Sequence, residues 1–177
     1  MKKIAPAALA AALISGPAVA GEFVSKTALS SAQEVENAVN DSAGRSTATI
    51  RFERDFSEAR VRVTYRRLQG ELTRLHLHCN IAGKNGPVAI GIVDRISAAL
   101  DNSLNFTDNG FRINGFLTNV DFPENTCEDV IGRPVNNLVS LAAAIDEGLI
   151  YWNLHTDANP AGELRGQVRP LTTSDDD

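Results

Sequence analysis

Positive charge is in short supply here: 17 Lys and Arg stand against 22 Asp and Glu in 177 residues, a formal net charge of −5. With no cationic excess to neutralise a phosphate backbone, nucleic acid is excluded as the expected partner. Long apolar runs are missing too. The unbroken stretch Ala7 to Ile14 is far shorter than the roughly 18 residues needed to cross a bilayer, and no later segment comes closer, so no membrane span is expected. There are two cysteines and only 6% aromatics. Neither a disulfide-dense scaffold nor a multidomain chain fits, and 43% hydrophobic residues fit one globular domain rather than a disordered tail.

The first twenty residues have the form of an export leader. Lys2 and Lys3 supply a positive start, Ala7 to Ile14 the apolar stretch, Gly16-Pro17 a helix break and Ala18-Val19-Ala20 a cleavage site. Gly21, not cysteine, follows the site, so a lipoprotein anchor is not expected. A signal peptide over 1–20 places the protein in the periplasm or outside the cell and makes the mature chain more acidic still. In such an oxidising compartment Cys79 and Cys127 are expected to form one disulfide, with two free thiols as the alternative.

From there the dominant period is two. Ala48, Ile50 and Phe52 alternate with Thr49 and Arg51, and Ala59, Val61, Val63 and Tyr65 with Arg60, Arg62 and Thr64, the pattern of half-buried strands. Further strands are predicted over 23–29, 72–78, 88–93, 111–117, 149–156 and 163–169, set apart by Asn85-Gly86-Pro87, Asp108-Asn109-Gly110 and Asn159-Pro160-Ala161-Gly162. About eight short strands predict a mainly β fold, an antiparallel sandwich or flattened barrel. Leu138, Leu141, Ala142 and Ile145 have the helical spacing instead, predicting one short helix near 137–147 capped by Asn136 or Asn137 and stopped by Gly148. One domain is expected over 21–171, with 172–177 as a disordered acidic tail.

All three histidines fall where chemistry is conceivable. On a strand, His76 and His78 share a face while Leu75 and Leu77 take the other; Asn153 and His155 are related in the same way to Trp152 and Leu154. If the leucines and tryptophan fill the core, the three imidazoles stand on the outer face, and on neighbouring strands they converge to metal-bonding distance, about 2.0–2.1 Å for zinc. Imidazole also suits copper. A His-x-His strand with a third His resembles, in arrangement alone, the copper ligands of copper-zinc superoxide dismutase, but no fourth histidine exists to complete that enzyme's bridged pair. The alternative is three structural histidines bonded to carboxylates or carbonyls. Asp157 and Glu163 are candidates to accept from the ligands' far nitrogens. Glu163 and Arg165 are expected as an exposed ion pair worth roughly 0–1 kcal/mol, and Arg60, Arg62, Arg66 and Arg67 as a solvated face, with contact to an anionic polymer or partner as the alternative.

Four stretches together resemble the CHRD domain, the module of the chordin family: Leu29-Ser30-Ser31-Ala32-Gln33-Glu34-Val35 with Ala43-Gly44; His76-Leu77-His78 leading to Asn85-Gly86-Pro87-Val88; Gly148 to Thr156; and Asn159-Pro160-Ala161-Gly162-Glu163-Leu164-Arg165-Gly166-Gln167-Val168. Glu36 stands where that family usually has proline, Cys79-Asn80 where glycine commonly follows the His-x-His element, and 121–137 is a local elaboration. The resemblance implies an antiparallel β-sandwich and leaves activity undefined. The expectation is therefore an exported binding module without enzymatic activity, its partner an extracytoplasmic protein or polysaccharide. The alternative is a copper or zinc protein using His76, His78 and His155, with a metal-dependent redox enzyme behind it.

Overall fold

The computed structural model describes residues 21–93, 111–124 and 127–174; the expected leader lies outside them. The described strands are β1 (Glu22–Ser30), β2 (Arg45–Phe52), β3 (Glu58–Arg66), β4 (Leu72–Cys79), β5 (Val88–Gly91), β6 (Phe111–Thr118), β7 (Ile150–Thr156), β8 (Leu164–Gln167) and β9 (Thr172–Ser174). Every pairing is antiparallel, in the order β5-β4-β7-β8-β1-β2-β3-β6, with β9 beside β1. Alternation sets the faces. Ile50 lies opposite Val61, and Val63 lies opposite both Ala48 and Ile113, so a two-residue period carries these side chains to one buried side.

Between β1 and β8 the register is a single pair, Ser30 and Arg165. The sheet therefore has two halves, β5-β4-β7-β8 and β1-β2-β3-β6 with β9 beside β1, meeting at a narrow seam, and it curls into a half barrel. One core holds Ile50, Phe52, Val61 and Val63 from one half and Leu75, Leu77, Trp152 and Leu154 from the other. The mainly β expectation is met by this curled sheet.

Two helices are described after β6: a one-turn α1 (Glu128–Ile131) and α2 (Leu138–Asp146). Asn137 caps α2, its side chain accepting from the Ser140 backbone N–H at 2.8 Å while the Ser140 hydroxyl accepts from the Asn137 N–H at 3.1 Å. Leu138, Leu141, Ala142, Ala144 and Ile145 are buried, and the helix packs on β7. Gly148 takes φ 70°, a left-handed conformation that suits glycine, just beyond the helix. Cys79 and Cys127 stand at disulfide distance, Cα atoms 5.7 Å apart, where β4 ends and α1 begins. Thr172–Ser174, assigned above to the disordered tail, instead form β9 against Glu22–Val24; backbone hydrogen bonding to an open strand edge orders a segment with no apolar side chain.

Candidate metal centre

Strand parity delivers the three histidines to one place. β4 and β7 pair with His76 opposite Asn153, His78 opposite Tyr151 and Arg74 opposite His155, so His155 is the diagonal neighbour of His76. Leu75, Leu77, Trp152 and Leu154 point the other way and are fully buried. The His76 ring centroid lies 5.5 Å from that of His78 and 5.2 Å from that of His155, and His78 and His155 are 6.0 Å apart. One nitrogen from each ring can be chosen so that all three lie within 4.8 Å of one another.

Loops cover this outer face of the two strands. His76 and His155 are buried, His78 is half-buried, and every residue of β7 is buried on whichever face it stands. The cover is held by polar contacts. His78 Nδ1 donates to the Gly86 carbonyl at 2.9 Å and His155 Nδ1 to the Pro160 carbonyl at 3.1 Å. Those bonds place the protons on Nδ1 and leave each Nε2 with a lone pair; both Nε2 atoms are buried without a hydrogen-bond partner. Burial, ahead of smaller charge effects, pushes the His78 and His155 imidazoles down to about 4, so both are neutral at pH 7. Neutral rings with oriented lone pairs are the form that binds metal.

The two turn motifs build this geometry. At Gly86 an added Cβ would meet the Cys79 carbonyl oxygen at 1.8 Å, so only glycine lets the loop come close enough to present its own carbonyl to His78. Tyr151 grips the same residue, its hydroxyl accepting from Gly86 N–H at 3.0 Å while its ring stacks on His78 at 5.0 Å. In the second turn Glu163 organises the chain: its carboxylate accepts from Ser42 Oγ and Thr156 Oγ1, each at 2.6 Å, and from the Gln69 N–H at 2.9 Å. Gly162, at φ 141°, passes against the Asn153 amide.

Two charge expectations are corrected. Glu163 and Arg165 are 0% and 1% exposed and do not form a solvent-exposed pair. Glu163 is taken up by the turn, whereas Arg165 lies 3.5 Å from the Tyr151 ring centroid and donates to the Lys84 carbonyl at 2.7 Å and Asn85 Oδ1 at 3.0 Å. They are separate anchors because each finds enough hydrogen-bonding partners of its own to be buried. The Nδ1 atoms of His78 and His155 meet backbone carbonyls rather than Asp157 or Glu163; Asp157 Oδ1 instead accepts from the backbone N–H groups of Glu71 and Ala158. Glu34 had no assigned role. It is buried, accepts from Asn153 Nδ2 at 3.4 Å, and its carboxyl is raised to about 7 by desolvation, with Arg165 and Asn153 opposing. Its sequence signal was a lone acid in Gln33-Glu34-Val35 next to a strand end, which parity alone cannot place.

A family model described as the CHRD domain matches residues 25–168, most of the chain. No curated protein and no solved structure matches it.

Proposed function

The chain belongs to the CHRD domain family, which suggests a binding module, and from that premise we propose that it is an exported module that binds copper or zinc through His76, His78 and His155. The observation that carries this reading is the pair of buried Nε2 atoms, on His78 and His155, held without hydrogen-bond partners in a cluster whose three donor nitrogens lie within 4.8 Å. A buried polar atom left unpaired costs roughly 1–3 kcal/mol, a cost that coordination would remove. Three imidazole nitrogens, with His78 and His155 neutral at pH 7, suit zinc and copper better than the oxygen-preferring magnesium or calcium. The Nδ1 bonds to Gly86 and Pro160 would fix ring orientation as metal-site partners do. Export agrees with the leader-like residues 1–20 and with the Cys79–Cys127 pair.

The test is titration of the purified protein with copper and with zinc, followed by calorimetry, alongside His78→Gln and His155→Gln. One equivalent should bind, and each variant should lose at least tenfold in affinity while circular dichroism shows a retained β fold. Weak binding that is the same in all three proteins would sink the reading.

A further inference from the structure

The opposite half of the sheet carries a feature that the metal site does not use. We propose that the outer face of β1, β2, β3 and β6 is a docking surface for an acidic polysaccharide. Lys26, Arg51, Arg60, Arg62 and Arg112 line one depression of about 590 Å³ there, with Thr47, Thr49 and Thr64 between them. The register builds the array: Arg51 lies directly opposite Arg60, Thr49 opposite Arg62, and Thr64 opposite Arg112. No carboxylate occurs in the strand stretches 24–28, 47–51, 60–64 and 112–116 that form it. Glu22 reaches Arg51 from the rim at 2.5 Å.

This concentration runs against the chain's net charge of −5. Like charges placed directly across a strand pair are destabilising, so folding alone does not call for Arg51 opposite Arg60. The guanidinium groups are also pre-oriented. Arg60 sits 5.3 Å over the Phe116 ring, and Arg62 Nε donates to Asn114 Oδ1 at 3.2 Å.

The chemistry of the spaces between the charges selects the occupant. Threonine hydroxyls and an asparagine amide alternate with the cations, a mixture that pairs with a polymer bearing both acid groups and hydroxyls. A protein partner would call for an apolar anchor at the centre of the patch, and the exposed aromatic beside it, Phe116, is overlaid by Arg60. A duplex would present phosphates far more densely than five cations answer.

Affinity electrophoresis with polygalacturonate and heparin as probes, and dextran as the neutral control, tests this. Both acidic polymers should retard the protein at low salt, dextran should not, and the affinity should fall steadily as salt rises. Arg60→Gln/Arg62→Gln should bind at least tenfold more weakly with an unchanged or higher melting temperature. Lys84→Gln/Arg133→Gln removes the same charge elsewhere and should bind as the parent does, as should His78→Gln. Equal weakening in the two charge variants would overturn the proposal, because overall charge and not this face would then be responsible. Tighter binding to oligothymidylate or to phosphatidylglycerol vesicles than to either polysaccharide would overturn it equally, by naming a different occupant.

Discussion

Glu34 shows how a single covered side chain can make stability depend on pH. Its carboxyl is raised from 4.5 to about 7, chiefly by burial. Between those values the folded chain holds a proton that the unfolded chain has released, so this site favours folding less and less as pH rises through the interval. Glu34→Gln keeps the shape and an acceptor for Asn153 but cannot titrate. Relative to the parent it should therefore gain stability as pH rises from 4.5 to 7, by up to about 3 kcal/mol for a shift of this size. Urea unfolding of both proteins across that range reads the difference directly, and a difference that does not change with pH would mean that Glu34 titrates normally in the fold. The histidines and Glu34 also mark where residue-level reading stops. His76, His78 and His155 could be placed on one face because the two-residue period fixes side, and the opposite burial of Leu75, Leu77, Trp152 and Leu154 bears that parity out. Their burial could not be read the same way, because the segments covering them have no period; the carbonyls of Gly86 and Pro160 approach only after the turns have closed.

Elements with strong periodic signals were legible nearly to their ends. The stripe Leu138, Leu141, Ala142 and Ile145 became α2, with its cap at Asn137 and its glycine at 148. Asn137→Ala should therefore cost about 1 kcal/mol by leaving the Ser140 N–H without its side-chain acceptor, whereas Asn137→Ser should recover most of it. Thermal unfolding of the three proteins decides; equal melting temperatures would show that solvent satisfies that N–H just as well. α1 and β9 were not legible, for different reasons. α1 is a single turn fastened beside Cys127, too short to display a helical stripe. β9 is three polar residues whose order comes from backbone pairing with β1, a force that leaves no mark on side-chain pattern. At the sheet level, alternation predicted the buried side of β2 and β3, but the seam of a single residue pair between β1 and β8 depends on how two halves close over a shared core.

Across the whole molecule, two long-range ties converge on the end of β4. Cys79 faces the core and pairs with Cys127 at a sequence separation of 48, while the adjacent His78 faces the histidine cluster and is held by Gly86 and Tyr151. The two ties act on different states of the chain. A cross-link closing a loop of that length restricts the unfolded ensemble, worth up to about 4 kcal/mol in the chain-entropy description. A bound ion stabilises only the folded state, by about 2.7 kcal/mol when its free concentration is 100 times the dissociation constant. Because His78 is positioned by contacts on its own face and not by the sulfur next to it, the two contributions should add. Cys79→Ala/Cys127→Ala should thus unfold at lower denaturant in the absence of metal, yet gain from zinc, at the same multiple of its own dissociation constant, the increment that the parent gains, within about 0.5 kcal/mol. Guanidinium titrations of both proteins with and without zinc measure all four stabilities. An increment that collapses in the cysteine-free variant would show instead that the Cys79–Cys127 tie is what holds His78 in register with His76 and His155.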